Sequence, residues 1–213
     1  MQTILEHKQQ SYTKEEQCVI DEVSSTYKLY DFVAAIICTR NAFNLDEIKE
    51  YILGTTRPKS YKGLKDIEKA ISLITESISL NEKIRIVGDY DVDGVTSTYV
   101  LLTVFEALNY PHISHYLPVR EKDGYGLNPD IVANAHADGV SLLITVDNGI
   151  SAVEAVASAK ELGMKVIVTD HHELPNELPI ADAIINPHQV DCDYPYKSLA
   201  GVGIAYKLGQ ALI

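Results

Sequence analysis

Residues 83–98 read Lys-Ile-Arg-Ile-Val-Gly-Asp-Tyr-Asp-Val-Asp-Gly-Val-Thr-Ser-Thr, and they constrain the fold more than any other stretch. A β-branched apolar run through Ile84, Ile86 and Val87 stops abruptly at three carboxylates, Asp89, Asp91 and Asp93, with Gly94 behind them. Side chains two apart on an extended chain share a face, so strand geometry carried to the end of the run brings the aspartates together. Like charges held that close repel, and ionised carboxylates resist leaving water. A hard divalent cation such as Mg²⁺ or Mn²⁺ relieves both penalties through oxygen ligands. Solvated turn aspartates or helix caps are the bland alternative. A calcium loop of the Asp-x-Asp-x-Asp-Gly kind is disfavoured by the preceding strand and by the lack of Glu at the twelfth position.

Two later stretches repeat the design. Residues 141–149 form a buried-type strand ending in Asp147, Asn148 and Gly149; residues 165–172 form another, ending in Asp170, His171 and His172. Carboxylates and imidazoles at three strand ends suit a pair of ions roughly 3.5–4 Å apart, the arrangement used for phosphoryl hydrolysis. Imidazole among the ligands favours Mn²⁺ over Mg²⁺. An extended backbone sends His171 and His172 to opposite sides, so one ligates a metal and the other is left for the phosphate or for proton transfer. Asp170 is expected to orient a histidine rather than bind metal.

From residue 83 onward, strand-like and helix-like segments alternate. Strands are expected at 83–88, 112–118, 141–146, 165–169 and 182–186, and helices at 95–109, 129–138, 151–162 and from 199. That alternation implies an α/β fold, a doubly wound parallel sheet whose ligands bind beyond the carboxyl ends of the strands. Before it, Thr13 and Glu16 form a capping box, residues 45–53 form an amphipathic helix stopped by Gly54, and Leu64, Ile67, Ala70, Ile71, Ile74 and Ile78 recur at helical spacing over 64–80. Residues 1–11 read as a polar lead, and Thr55–Gly63, with Arg57-Pro58, as a loop.

The segments 89–94, 147–149 and 170–172 resemble the successive motifs of the DHH phosphoesterase superfamily. Val87-Gly-Asp-Tyr-Asp-Val-Asp-Gly-Val-Thr, Asp123-Gly-Tyr-Gly-Leu, Leu143-Ile-Thr-Val-Asp-Asn-Gly-Ile, Val168-Thr-Asp-His-His-Glu-Leu-Pro, Asn186-Pro-His and Leu199-Ala-Gly-Val-Gly-Ile-Ala-Tyr-Lys resemble its RecJ branch, single-strand-specific exonucleases. The resemblance implies the sheet order 2-1-3-4-5, an N-terminal helical extension at 1–80 and a metal-binding domain at 81–213. It implies two divalent cations, Mn²⁺ ahead of Mg²⁺, held by Asp89, Asp91, Asp93, Asp147, His171 and His172 as the catalytic set. Arg120 becomes a phosphate clamp and Tyr125 a base-stacking candidate, with loop arginine and loop-packing tyrosine as the plain alternatives. Gly149, Gly201 and Gly203 would offer amides to an anion; Lys207 is a phosphate candidate or a surface lysine. Asn148, where the family often has another small residue, carries no assigned role.

The implied activity is 5′→3′ hydrolysis of single-stranded DNA in repair and recombination, with a single-strand-binding protein or a helicase as partner class. Other DHH branches act on short oligonucleotides, cyclic dinucleotides or pyrophosphate, and some relatives are replication scaffolds, so both alternatives stand beside the nuclease. The family's further downstream aspartate and second domain do not occur in residues 1–213, which reads as an N-terminal portion with weak activity alone. Net charge is −12, which excludes a general polyanion-binding surface. Cys18, Cys38 and Cys192 lack metal or redox spacing and read as reduced thiols of a cytoplasmic protein. The apolar run 32–38 is too short to span a bilayer.

Overall fold

A computed structural model describes residues 11–55 and 59–213. The polar lead through residue 10, His7 within it, and the Arg57-Pro58 pair lie outside the described residues. The chain forms two compact units that divide between Lys59 and Ser60.

The first unit is helical. Helix α1 (Lys14–Tyr27) starts at the expected capping box: the Glu16 amide donates to Thr13 Oγ1 at 3.2 Å and the Thr13 amide to Glu16 Oε2 at 2.8 Å. Lys28, at φ 53°, ends it, and α2 (Asp31–Arg40) follows. Helix α3 (Leu45–Leu53) is capped by Asn44 and closed by Gly54 at φ 61°. Ile20, Val23, Ala34, Cys38 and Ile48 form its core.

The second unit begins with α4 (Ile67–Ser79), continues through β1 (Lys83–Val87) and α5 (Val92–Ala107), then β2 (Ile113–Tyr116), α6 (Arg120–Asp123) and α7 (Pro129–Ala137). It ends with β3 (Val140–Val146), α8 (Val153–Glu161), β4 (Lys165–Thr169), β5 (Ala183–Ile185) and α9 (Gly201–Leu212). All strand pairs are parallel and the order is β2-β1-β3-β4-β5. Ile86 pairs with Ile144, and Thr145 with Val168, so the strand ends sit side by side.

Alternation along the strands divides the core between the two faces. Ile84, Ile86, Leu142, Ile144 and Val146 pack with Ile67, Ala70 and Ile74 of α4, Leu101 and Phe105 of α5, and Ile204 and Leu208 of α9. Val87, Leu143, Val166 and Val168 pack with α7 and α8 through Ile131, Val132, Ala155 and Val156. Each face is therefore sealed by helices, as a parallel sheet requires. Because α4 completes one of these layers, the compact unit starts at residue 60, well before the expected boundary between 80 and 81.

Two local departures bear on the site. Helix α5 begins at Val92, not at 95, because Asp91 caps it by accepting the Gly94 amide at 3.0 Å. The segment after β2, expected as a loop, contains α6, whose Asp123 Oδ2 accepts the Val119 amide and the Tyr116 hydroxyl, each at 2.9 Å.

Candidate metal centre

Asp89 follows β1, Asp147 follows β3 and Asp170 follows β4, and all three are buried. The ladder continues into the last two: the Asp147 amide donates to Thr169 O at 3.0 Å and the Asp170 amide to Ile185 O at 3.1 Å. Asp89 and Asp91 come together with Asp147, while Asp93 turns to His171 and the start of α9, so strand periodicity does not gather the first three aspartates. Asp89 stands at the strand end, Asp91 is the α5 cap and Asp93 lies in the first helical turn. This tight reversal needs Gly94, where a Cβ would come within 2.5 Å of the Asp89 backbone.

Asp147 is the hub. It adopts φ 61°, a left-handed conformation that aspartate tolerates better than most residues. One trio of donor atoms comes from Asp147, His171 and His172, another from Asp89, Asp91 and Asp147, and within each trio the atoms lie within 4.8 Å of one another. His171 Nε2 stands 3.1 Å from Asp147 Oδ1 and 3.6 Å from Asp93 Oδ2. Burial pushes the Asp147 carboxyl up to about 7, with the Asp93 and Asp91 charges adding to the rise. Burial also raises Asp89, against an opposing backbone hydrogen bond at Tyr90.

Among the described residues Asp89 Oδ1 and Asp147 Oδ1 are buried and accept no hydrogen bond, the latter facing only the His171 Nε2 edge at 3.1 Å. Orphaned carboxylate oxygens at the centre of an acidic cluster are costly, and their chemistry matches hard divalent cations, with imidazole favouring Mn²⁺. The donor set therefore fits metal ions. Asp93 has a second engagement: its oxygens accept the Gly201 and Val202 amides at 2.8 and 2.7 Å, tying the N-terminus of α9 to the cluster.

The histidine pair corrects an expectation. The chain leaves β4 and curls around Asp170, whose Oδ1 accepts the His171 amide at 2.7 Å, the His172 amide at 3.1 Å and His172 Nδ1–H at 2.6 Å. The rings consequently lie 4.6 Å apart on one side rather than facing opposite ways. Asp170 Oδ2 also accepts the Ile150 amide at 2.9 Å, in keeping with an orienting role. Burial pulls the His172 imidazole down, but its hydrogen bond to Asp170 and that carboxylate's charge outweigh it, leaving the pKa above its ordinary value.

Residues expected to meet substrate divide. Arg120 opens α6, is exposed, and places its guanidinium 5.5 Å from the Tyr90 ring centroid. Its charge acts on Asp89, which it lowers. Tyr125 sets its ring edge-on to Tyr90 and His172, and its hydroxyl is 3.4 Å from both His172 Nε2 and Asp147 O. About half of it remains exposed, above a pocket of about 390 Å³ lined by Tyr125–Leu127, Gly149–Ala152, Asp170 and His172.

Gly149, at φ 105°, lies in that lining; a Cβ there would meet Thr145 Oγ1 at 2.5 Å. The α9 glycines do not offer amides to an anion as expected. Gly201 gives its amide to Asp93, and it is glycine because a Cβ would meet Asp147 Oδ1 at 2.5 Å. Gly203 gives its amide to Ala200 O within the helix. Lys207 is not a surface lysine: it is 4% exposed, burial lowers its pKa, and its Nζ lies 5.5 Å from the Tyr206 ring centroid.

Asn148 is the residue that sequence reasoning undervalued. It is buried and hydrogen-bonded to the ends of β1 and β3 and to Leu127. An Asn-Gly pair reads as a turn, and only the strand order places Val87 within its reach. Asn186, which donates to His172 O at 3.0 Å, stands out in the sequence only as part of a motif.

Comparison with known proteins decides the family. The model of the DHH family, N-terminal domain, matches residues 83–212. The chain belongs to the DHH family. Among curated relatives of this DHH chain, single-stranded-DNA-specific exonuclease RecJ of Escherichia coli (strain K12) is 46% identical over 152 residues, 71% of this chain and 26% of that protein. The chain spans about a quarter of the length of these curated relatives. A crystal structure of exonuclease RecJ bound to manganese matches with a TM-score of 0.66 and 33% identity, covering 73% of this chain and 39% of that one. RecJ from Thermus thermophilus in complex with Mn²⁺ matches with a TM-score of 0.67 and 27% identity, over 92% of this chain and 27% of that one. Among the described residues, no helix of the DHH chain is long and apolar enough to cross a membrane.

Proposed function

We propose that this chain carries the metal-binding portion of a phosphodiesterase that degrades single-stranded DNA from its 5′ end in repair and recombination. The observation that carries this reading is Asp147, a buried, partly orphaned carboxylate common to two ligand trios at the rim of the sheet. Similarity to RecJ proteins, two of whose matching structures hold manganese, supports the substrate and the metal. Residues 1–59 would serve as the helical extension and 60–213 as the DHH unit.

In this reading Asp89, Asp91 and Asp147 would hold one cation, and Asp147 with His171 and His172 would hold a second, with Asp93 beside them. Two such cations, when bound, would supply an activated water at neutral pH and would offset charge on the phosphate in the transition state. The protein contributes the rest. Asp170 accepts Nδ1–H of His172 and so fixes the tautomer whose Nε2 lone pair is free to ligate a metal ion. Arg120, stacked near Tyr90, neutralises phosphate charge from the outer side of the cluster. Tyr125 and Leu127 wall the pocket and keep bulk water from the reacting phosphate. The acidic surface confines nucleic-acid contact to this rim. Cytoplasmic location and a single-strand-binding protein or helicase as partner belong to the same proposal.

The test compares Mn²⁺-dependent release of mononucleotides from 5′-labelled single strands with hydrolysis of dinucleotides and pyrophosphate. Preferential attack on long single strands, abolished in Asp147→Ala, is expected. Preference for dinucleotides or pyrophosphate would move the chain to another DHH branch, and wild-type activity in Asp147→Ala would refute the assignment.

A further inference from the structure

Asn148 is 1% exposed, and its amide reaches three separate parts of the second unit. Nδ2 donates to Val87 O at 3.0 Å and to Val146 O at 2.9 Å, the last residues of β1 and β3. Oδ1 accepts the Leu127 amide at 3.1 Å. A residue serving only an Asn-Gly turn bonds its own backbone and faces solvent. This one is sealed in, and it spends both N–H groups on two different strands.

The far side of the contact is a segment closed on itself. Asn128 Nδ2 donates to Asp123 O at 2.8 Å, and Asp123 Oδ2 accepts the Val119 amide and the Tyr116 hydroxyl. Residues 119–128 thus hold together as a piece that carries Arg120 and Tyr125. Gly126 lies flat on Asn148: its φ is 63°, and a Cβ there would come within 3.1 Å of Asn148 Cβ. The strand ends on the near side lead directly into Asp89 and Asp147.

We infer that Asn148 is a positioning residue that sets the Arg120–Tyr125 segment at a fixed height over the carboxylates, joining the phosphate grip to the metal centre. Its effect falls on substrate capture and not on ion affinity, since each ligand has its own attachment to a strand end or helix. Buried hydrogen bonds of this kind are worth on the order of a few-fold to tenfold each in an equilibrium. The inference rests on the phosphodiesterase reading for its consequence and on geometry alone for the clamp.

Two variants approach the contact from opposite sides: Asn148→Ala removes the amide, and Gly126→Ala pushes the segment away with the strand ends untouched. In the intact enzyme each is expected to raise KM for a single-stranded oligonucleotide roughly 5- to 10-fold, with a smaller change in kcat. Mn²⁺ affinity by calorimetry stays within about 2-fold, and exchange of the Leu127 amide accelerates on the order of 10-fold. Should Asn148→Ala fail to fold, Gly126→Ala carries the same test. Unchanged KM and Leu127 protection in the folded variants would overturn the inference, as would a loss of Mn²⁺ affinity in proportion to the rise in KM. If the wild type is inert on DNA the nuclease reading falls. Leu127 protection lost without loss of Mn²⁺ affinity would then still sustain the clamp, and protection retained would overturn it.

Discussion

Asp147→Asn separates what the buried carboxylate costs the fold from what it does for the metal. Asparagine matches aspartate in shape and tolerates the left-handed φ of 61° at this position. The carboxyl has an ordinary value of 3.8 and stands at about 7 in the folded chain, mainly through burial. Between those values the folded state holds a proton that the unfolded state has lost, so stability falls as pH rises from about 4 to about 7. Roughly 3 pH units at 1.36 kcal/mol each set a ceiling on the order of 4 kcal/mol at neutral pH. Local relaxation and water entry reduce this to on the order of 2 kcal/mol. In EDTA at pH 7.5 the variant should therefore melt about 4–8 °C above the wild type, by calorimetry or circular dichroism. At pH 4.5 the difference should largely vanish. Saturating Mn²⁺ should reverse the order by stabilising the wild type alone. A variant that melts at or below the wild type in EDTA at pH 7.5, or that gains as much from Mn²⁺, would refute the reasoning.

Three further outcomes follow from single contacts. Asp170→Asn removes the charged partner of His172 Nδ1, so the imidazole pKa should drop, read by NMR titration in EDTA; an unchanged value would mean that the 2.6 Å contact does not hold the ring. Gly201→Ala drives a methyl group against Asp147 Oδ1, so α9 must shift from Asp93, with Mn²⁺ affinity falling at least about 10-fold and stability by about 1–3 kcal/mol; calorimetry and urea unfolding check both. Thr13→Ala breaks the α1 capping box and should cost the first unit about 1 kcal/mol in urea unfolding, with Mn²⁺ affinity unchanged.

Much of this architecture was legible in the sequence because it is written in short-range patterns. The expected strand 165–169 and the expected helix 45–53 coincide with β4 and α3, since apolar runs and caps mark their own ends. The candidate ligands stand out as well, because Asp89, Asp147 and Asp170 each come at the end of a β-branched run. What escaped depends on chain reversal and on neighbours distant in sequence. Asp91 starts α5 early because its own carboxylate caps the helix, which places Asp93 in a helical turn and not on a strand. His171 and His172 share a side because Asp170 curls the backbone around itself. Gly201 looked like an anion-binding turn, whereas the space its missing Cβ leaves is filled by Asp147. Asn148 acquires its partners only once β1 and β3 lie side by side. The boundary at 80 missed α4 because an amphipathic helix does not announce which core it will cover.

The decisive measurement is the Mn²⁺ stoichiometry of the wild type and of Asp147→Asn, by equilibrium dialysis with metal analysis. Because Asp147 belongs to both ligand trios, the wild type should bind two ions per chain and the variant should lose tight binding of both. Two ions retained by the variant at wild-type affinity would contradict the proposed centre.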